Sequence, residues 1–504
     1  MIKLIYRIES DYMSKKRMLI VTSVTLSVVT ISLGIVKLYQ TYALSNYIGT
    51  VTDTGIDVYI NDDSYASIPA NGSSNVYYML TNTNPGTVKY GVAYQTTSGV
   101  TVKVYDTSED PATGTIEEND KKYIKLHLEN KNSTNKTIEL STVLGYENGG
   151  DLVVPSGVTL VTDTYTPPPT AAEYITKLYT TASKTTVTNN SITYNTAPSV
   201  SLMNDRLGGT TTDLDGGNIR YYGASPNNYI YFNCSDYSNQ TSSTCETWRI
   251  IGVFDGKLKL IRGSQIGTYS WDNKNTNTGA ENNYGKNDWT TARLMKLLNP
   301  SDYYTVDSND NNLGQSLYYN STSGKCYSGQ NNATKDCDFT STGIKDTTRN
   351  MIAETTYYLG GWNNVSVYPN QIYEYERGTI VYTGRPTTPW TGKIALAYPS
   401  DYGYAADLNQ CKDKTLYDYD NRTCTSNNWM KAIITNNGSN NGWLLTPDSG
   451  TSNIAWRVYS DGYVGNYDYA FRAIGAVPVL SLSSELGIES GGDGSSSKPY
   501  KLSA

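Results

Sequence analysis

The sequence TWRIIGVFDGKLKLIR, Thr247–Arg262, decides how the C-terminal half of the chain folds. Two runs of alternating apolar residues flank Asp255 and Gly256. An Asp-Gly pair accepts the positive φ angles that a two-residue primed turn requires. The stretch therefore predicts a β-hairpin and places a sheet in this region of the chain.

The rest of this half mixes few helices with many strands. Trp289–Leu298 (WTTARLMKLL) predicts a short helix that ends at Asn299 and Pro300. Further strands are predicted in GWLLTP (442–447), IAWRVYS (454–460), YVGNY (463–467) and IGAVPVLSL (474–482). An α+β domain with long loops fits this mixture.

All six cysteines lie in this half and fall into three close pairs, Cys234 with Cys245, Cys326 with Cys337, and Cys411 with Cys424. The residues inside each pair are polar and turn-rich, so local disulfides are the simplest of the many connectivities. Each would close a short loop and stabilise the fold by roughly 2–3 kcal/mol. A metal or redox site is the alternative, but no pair has CxxC spacing. Disulfides favour an oxidising, extracellular compartment.

Upstream, Thr166–Thr170 (TPPPT) predicts a stiff linker and the clearest domain boundary. Directly after it, Ala171–Lys184 predicts an amphipathic helix. The apolar face of that helix consists of Ile175, Leu178, Tyr179 and Ala182.

Between Tyr47 and Tyr165 the chain reads as short strands separated by turn signals. The strands are GIDVYIND, NVYYMLTN, KYGVAYQT, VTVKVYD, KYIKLHLEN, KTIELSTVLG and GVTLVTDT. Seven short strands in this length predict an all-β sandwich. His127, the sole histidine, falls in one of them. A lone histidine there indicates a structural or solvent-facing residue.

Near the N terminus, Met18–Val36 is an uncharged run about as long as a membrane-crossing helix requires. Lys15, Lys16 and Arg17 precede it, so the positive-inside rule places the following chain outside the cytoplasm. The run is either an anchor or a signal peptide cut after Ala43, and both alternatives stay open. Lys498–Ala504 carries no sortase-like motif, so we do not expect wall anchoring by that route.

These signals predict a multi-domain chain. Residues 1–45 form a cytoplasmic segment and transmembrane or signal helix, and residues 46–165 form the β-sandwich. Residues 166–170 are the linker, and residues 171–504 form an α+β domain with local disulfides.

Composition bears on the partners. The net charge is −7, and no basic stripe with interleaved aromatics is present, so we do not expect nucleic acid as a partner. The chain has 46 tyrosines but only 4 phenylalanines. Abundant tyrosine together with Ser, Gly and Asn is typical of recognition surfaces. Codon bias in an AT-rich genome would give the same composition, so composition alone does not decide function.

Three phrases near the C terminus carry a resemblance: GWLLTP (442–447), WRVYSDGY (456–463) and FRAIGAVPVL (471–480). In this order they resemble the end of C-type-lectin-fold domains, including formylglycine-generating-enzyme-like domains and retroelement-diversified variable proteins. Asn218–Val253 resembles the opening of such domains in surface proteins of gut Firmicutes-type bacteria. The likeness spans about Asn218–Leu482. Many relatives have an arginine before the Pro-Val-Leu phrase, whereas this chain has Ala476 and Val477. The segment Lys37–Ser45 resembles cleavable leaders of Gram-positive exported surface proteins.

The resemblance implies a C-type-lectin-like domain whose ligand-binding face lies between Trp456 and Phe471. The candidate ligand-binding residues are Trp456, Tyr459, Asp461, Tyr463, Asn466, Tyr467, Asp468 and Tyr469. Tyrosine rings would stack on a glycan or protein ligand, and Asp and Asn would supply hydrogen bonds. A plain hairpin with polar exposed residues is the alternative.

The function expected from the sequence is therefore extracellular recognition or adhesion. A structural envelope or matrix component is the first alternative. An envelope glycosidase is the second, with paired carboxylates drawn from Glu354, Glu374, Glu376, Asp401 and Asp407. The second domain has no histidine base, and the cysteines offer no copper-binding pair, so no catalytic residue and no cofactor is expected. DSNDN (307–311), like Asp213 and Asp215, is an incomplete calcium loop, so no metal site is expected.

Overall fold

The structure, a computed structural model, describes residues 5–8, 18–21, 44–52, 55–59, 65–82, 86–146, 152–206, 217–273, 284–305 and 313–503. The chain divides into two compact units, residues 1–168 and residues 169–504. The division falls inside the proline-rich stretch TPPPT. Each unit has its own hydrophobic core, so each can be described by itself.

Most of the predicted leader lies outside the described residues, as do the possible cleavage site at Ala43 and the two calcium-like segments. The first four residues of the predicted span, Met18–Val21, form a strand paired with Ile5–Ile8 rather than a helix. In the described part of the chain no helix has the length and apolar character needed to cross a membrane. The membrane anchor therefore stays a prediction.

The first unit is built from strands alone over its described residues. Its strands are β1 (Ile5–Ile8), β2 (Met18–Val21), β3 (Leu44–Thr52), β4 (Gly55–Tyr59), β5 (Tyr65–Ile68), β6 (Gly72–Asn82), β7 (Val88–Gln95), β8 (Val100–Tyr105), β9 (Thr113–Ile116), β10 (Lys121–Asn130), β11 (Lys136–Tyr146), β12 (Val158–Leu160) and β13 (Thr164–Tyr165). One sheet has the order β13-β8-β10-β6-β3-β4, and the other has the order β12-β7-β11-β5 with β9 beside β7. Each of the seven predicted segments contains a strand.

The two sheets of the first unit share one core. Ile124 and Leu126 from the first sheet join Ile138 and Leu140 from the second in a single buried cluster. Successive side chains of a strand point to opposite faces, so one face of each sheet can be apolar while the other meets water. Two sheets around one core form a β-sandwich, as the alternation predicted.

His127 is a structural residue of this sandwich. Its ring stacks on Tyr165 with centroids 3.6 Å apart, and its Nδ1 lies 2.7 Å from the side-chain oxygen of Asn75. Burial lowers the pKa of His127, although Glu129 acts in the opposite direction. The His127 ring is therefore packed in the interior of the unit rather than placed in a binding or catalytic site.

The second unit contains seven short helices in its described residues: α1 (Ala171–Thr181), α2 (Arg293–Leu298), α3 (Asp346–Arg349), α4 (Pro369–Arg377), α5 (Pro399–Tyr404), α6 (Arg422–Ser426) and α7 (Lys431–Ile434). Thr170 caps α1 in a reciprocal box with Glu173, and Ile175 and Tyr179 are buried as predicted. The helix ends at Thr181, three residues before the predicted Lys184, because Ala182 is extended. Trp289–Thr291 is a 3₁₀ turn, so only the second part of the predicted helix 289–298 is α-helical.

The strands of the second unit are β14 (Thr185–Asn189), β15 (Ile192–Ala197), β16 (Leu202–Asn204), β17 (Ile219–Tyr221), β18 (Tyr229–Phe232), β19 (Glu246–Phe254), β20 (Lys257–Arg262), β21 (Thr268–Tyr269), β22 (Ser323–Tyr327), β23 (Thr334–Asp338), β24 (Thr355–Tyr357), β25 (Trp390–Gly392), β26 (Ile394–Ala395), β27 (Gly442–Pro447), β28 (Ile454–Val458), β29 (Val464–Tyr469), β30 (Ile474–Gly475), β31 (Val479–Ser481), β32 (Gly487–Ile488) and β33 (Leu502–Ser503). The larger sheet has the order β14-β15-β16-β17-β19-β20-β31-β26, with β18 beside β19. A smaller sheet has the order β21-β30-β27-β28-β29.

The hairpin predicted at 247–262 is confirmed. Strands β19 and β20 pair antiparallel, and Asp255 and Gly256 between them have φ angles of 49° and 71°. These are the positive angles of a type I′ turn. The three predicted disulfides are also present: Cys234–Cys245, Cys326–Cys337 and Cys411–Cys424.

Buried indoles tie the second unit together. The Trp271 indole N–H donates to the carbonyl of Leu444 at 3.1 Å, and that of Trp443 donates to the carbonyl of Tyr269 at 2.9 Å. A buried polar group costs free energy unless it has a partner, so these bonds fix the ring positions as well as the packing. They join β27 to the chain at and just after β21.

Gly256→Ala tests the turn. A Cβ at Gly256 meets nothing within 4 Å, so its cost of about 1 kcal/mol comes from the positive φ angle alone. All eight tryptophans lie after residue 168, so the urea midpoint followed by tryptophan fluorescence in the full chain reports on the second unit. Gly378→Ala is the control, because Gly378 has a negative φ and ordinary contacts. Equal losses in both variants would contradict the turn assignment.

Candidate functional site

The candidate face belongs to the hairpin formed by β28 and β29. The hairpin lies at one end of the strand order of the smaller sheet. In its turn the Gly462 N–H donates to the carbonyl of Tyr459 at 2.9 Å. Gly462 has a φ of 115°, a backbone conformation that favours glycine. A Cβ there would also lie only 2.8 Å from the Thr425 side chain, which is a second reason for glycine at this position. The same Cβ would lie 3.4 Å from the carbonyl oxygen of Tyr419, so the turn packs against the segment that the Cys411–Cys424 disulfide closes.

Alternation along β29 separates exposed from buried side chains. Tyr467 is 58% exposed and Tyr469 is 38% exposed. Val464, Asn466 and Asp468 are buried. Because successive residues of a strand face opposite sides, the tyrosines cover the outer face while the polar residues between them point inward.

Three of the predicted ligand-binding residues are buried: Trp456, Asn466 and Asp468. Trp456 is fully buried, and its indole donates to the carbonyl of Trp362 at 3.0 Å. The amide of Asn466 donates to the carboxylate of Asp448. Asp468 is buried between two arginines. Each of these three side chains has a polar partner inside the protein and helps to hold the hairpin.

Asp468 orients the outer face through Arg457. The carboxylate pairs with Arg457, and its second oxygen lies 2.8 Å from Nε of Arg472. The Arg457 guanidinium lies 3.7 Å from the centroid of the Tyr459 ring, and Tyr459 stacks on Tyr463 at 4.0 Å with 15° between the planes. A cation over a ring face is attracted to it, so the buried carboxylate fixes a column of three stacked groups.

The remaining predicted residues come together on the surface, with Asp461 exposed in the turn. Gly465 gives room for the rings. A Cβ there would lie 3.0 Å from the Tyr459 ring, 3.4 Å from Tyr467 and 3.5 Å from Tyr463. The three rings thus meet above one glycine and form a continuous aromatic surface.

Sequence reasoning missed three residues of this surface. Tyr417, from the disulfide-closed segment, is 45% exposed and packs edge-on against Tyr463 with centroids 5.4 Å apart. Tyr284 stacks on Tyr469 at 4.6 Å, and Phe471 lies 5.6 Å from Tyr284. Nothing in the sequence joins positions 284 and 417 to the hairpin, because only the fold brings them there. The seven aromatic residues Tyr284, Tyr417, Tyr459, Tyr463, Tyr467, Tyr469 and Phe471 are called the tyrosine ridge below.

The ridge offers ring faces and hydroxyl groups on an open surface. The two cavities described in the second unit are too small for a ligand. The one lined by Tyr269, Arg293 and Tyr327 has a volume of about 10 Å³, roughly the space of one water molecule. The chemistry that this arrangement can perform is stacking and hydrogen bonding rather than enclosure of a substrate.

The five carboxylates considered for glycoside hydrolysis differ in how deeply they are buried. Glu354 and Glu374 are exposed and Asp407 is partly buried, whereas Glu376 and Asp401 are buried. Asp401 is held by Arg220 at 3.0 Å and by Lys259 at 2.5 Å. Because Glu376 and Asp401 are buried and bonded within the protein, neither is accessible to a sugar oxygen.

The pKa values of these two buried carboxyl groups are shifted in opposite directions. Burial raises the pKa of Glu376 to about 7, although Arg377 and hydrogen bonds from Ser400 act to lower it. Burial would also raise the pKa of Asp401, but Lys259 and Arg220 outweigh it and lower that pKa below its usual value. Asp401 is therefore a permanent charge of the interior, whereas Glu376 titrates near neutrality.

No protein-family model matches the chain, and no curated protein matches it. Over the described residues, no group of three or more His, Cys, Asp or Glu side chains is arranged to hold a metal ion. The site is therefore interpreted from its own geometry.

Arg457→Met tests the support of the ridge. It leaves Asp468 buried with one partner, so we expect the free energy of unfolding of the second unit to fall by about 3–5 kcal/mol. Arg472→Gln is the matched control, since it removes the half-exposed partner of the same carboxylate and should cost less than about 1 kcal/mol. Urea denaturation followed by tryptophan fluorescence measures both. A larger loss from Arg472→Gln would contradict the roles given to the two arginines.

Glu376→Gln tests the buried carboxyl. The folded-state pKa of about 7 exceeds the usual unfolded value, so the folded state keeps the proton as the unfolded state loses it. As pH rises from about 4.3 to about 7, the contribution of Glu376 to the free energy of unfolding therefore falls by on the order of 3 kcal/mol. The Gln variant should lack this loss and be the more stable protein at pH 8. Glu374→Gln, on the exposed face of the same helix, should behave as the wild type. Parallel stability profiles of wild type and Glu376→Gln would refute the assignment.

Proposed function

We propose that the protein is a cell-surface or secreted recognition protein that binds an extracellular glycan or protein ligand through the tyrosine ridge. The observation that carries the proposal is the outer face of β29, where Tyr467 and Tyr469 stand exposed beside rings that are already stacked. Exposed aromatic residues in a contiguous patch are unusual on a protein without a partner.

The preorganisation of the ridge favours binding. A tyrosine has few rotatable bonds, and stacking on Tyr459 or Tyr284 immobilises Tyr463 and Tyr469 before any ligand arrives. Little side-chain entropy is then lost on association, so more of the contact energy becomes affinity.

Three disulfides support an extracellular location, because such bonds persist in oxidising compartments. The leader predicted at Met18–Val36 would deliver the chain there, as a membrane anchor or as a cleaved signal. The C-type-lectin-like assignment of the second unit rests on the order of its three C-terminal phrases. The first phrase forms β27, the second contains the end of β28, and the third contains β30 and the start of β31. Strands β27, β28 and β30 belong to the smaller sheet and β31 belongs to the larger one, so the phrases connect the two sheets, which is compatible with that assignment.

Tyr467→Ala tests the site in the oxidised full chain. Tyr467 is the most exposed ring of the ridge, so we expect attachment to a panel of glycans and of bacterial and host cells to weaken at least tenfold. Because its removal disturbs no stacked pair, stability should stay within about 0.5 kcal/mol of wild type. Tyr463→Ala is a poorer test, since it also removes the stacking partner of Tyr459.

Tyr123→Ala is the matched control, because Tyr123 is 39% exposed in the first unit. It should leave attachment unchanged, with or without calcium. Saturable attachment that is the same in wild type and Tyr467→Ala would sink the assignment of the ridge.

A further inference from the structure

The exposed face of the ridge carries little charge. Asp468, the acidic residue between Tyr467 and Tyr469, is buried and neutralised by its arginine partners. Those partners, Arg457 and Arg472, are in turn committed to Asp468. The exposed carboxylate of Asp461 lies in the turn, where it would repel an anion. The surface therefore suits a ligand without net charge.

The shape of the ridge is that of an open platform. A protein partner generally binds through a few anchor side chains that enter fully desolvated pockets. Neither of the two cavities described in the second unit, one lined by Tyr269 and Arg293 and the other by Tyr194 and Tyr222, includes a residue of the ridge. An open row of rings instead suits a ligand made of repeated units, each of which has a flat apolar face.

The length of the row indicates how many such faces it can take. A strand rises about 3.3 Å per residue, so Tyr463 to Tyr469 extends over about 20 Å. Tyr417 prolongs the row at the turn, and Tyr284 and Phe471 prolong it at the other end of β29. Pyranose rings of a polysaccharide expose C–H faces that stack on tyrosine, and their hydroxyls can bond to the phenolic oxygens.

We propose that the tyrosine ridge binds an extended, uncharged polysaccharide whose successive sugar rings stack along β29, from Tyr417 to Tyr284. The inference rests on the proposed function and narrows its ligand class. Tyr417 is then a specificity-determining residue, because the Cys411–Cys424 disulfide holds its segment beside the turn. Binding needs no calcium and depends little on ionic strength, since ring stacking rather than charge supplies the affinity.

The test is affinity gel electrophoresis of the oxidised full chain. The neutral probes are mixed-linkage β-glucan, xyloglucan, galactomannan and soluble starch, and the anionic probes are alginate and hyaluronan. We expect at least one neutral polysaccharide to retard the protein equally at 0.05 M and 1 M salt (about a twentyfold change in ionic strength that would abolish exposed charge pairing). Fragments long enough to span the ridge should bind at least tenfold more tightly than a disaccharide of the same polymer.

Variants separate stacking from other contacts. Tyr467→Phe keeps the ring and should retain most of the affinity, whereas Tyr467→Ala and Tyr469→Ala should each lose at least tenfold. Tyr417→Ala should weaken the long fragments and leave the disaccharide unchanged. Tyr123→Ala in the first unit should have no effect.

Failure of the inference is distinguishable from failure of the proposed function. Retardation by anionic probes alone, or equal affinity for a disaccharide and its polymer, overturns the inference. So does a negative result with every neutral probe. If cells stripped of polysaccharide by glycosidases still hold wild type but not Tyr467→Ala, the ridge recognises a protein and only the inference falls. If no attachment depends on Tyr467, both fall.

Discussion

The carboxylate of Asp468 is buried in the hairpin that carries the tyrosine ridge, and the outer face depends on how that charge is satisfied. A buried charge is costly unless it is paired. Arg457 meets this requirement and at the same time places its guanidinium under Tyr459, so one ion pair anchors both the strand and the rings. Asp468, which lies between two tyrosines in the sequence, is thus buried, and its role is to position the groups that face the solvent.

The same logic extends to the interior of the second unit. Arg220, Asp205, Asp401 and Lys259 form a buried network that links β17 and β20 to α5. Breaking such a network leaves an uncompensated charge, so it favours a single arrangement of these elements. The buried indole bonds and the three disulfides constrain other parts of the unit in a similar way. A rigid scaffold of this kind can hold an exposed aromatic surface in one geometry.

Local patterns predicted the elements of the fold well, because they depend on neighbours in the sequence. Alternation located the strands of the sandwich, Asp255 and Gly256 located a primed turn, and the cysteine spacing gave the disulfide pairs. Helix ends were less accurate, as at Thr181, because tertiary contacts decide where a helix stops.

The site was predicted only in part, for an equally physical reason. Tyr459, Asp461, Tyr463, Tyr467 and Tyr469 reach the surface, whereas Trp456, Asn466 and Asp468 do not. Strict alternation along β29 was a signal that could have separated Asn466 and Asp468 from the tyrosines. No sequence signal could have found Tyr284 and Tyr417, since they lie 185 and 46 residues before Tyr469 and Tyr463, the rings that they contact, and only tertiary packing brings them together.

Tyrosine footprinting of the oxidised full chain on target cells tests the central claim most directly. Nitration with and without bound cells, read by peptide mass spectrometry, compares Tyr467 and Tyr469 with Tyr65 and Tyr123, which are 40% and 39% exposed in the first unit. The account predicts that cells protect Tyr467 and Tyr469 while Tyr65 and Tyr123 react as before. Protection of Tyr65 and Tyr123 with unchanged reactivity of the ridge would contradict it, and would place the recognition surface on the first unit.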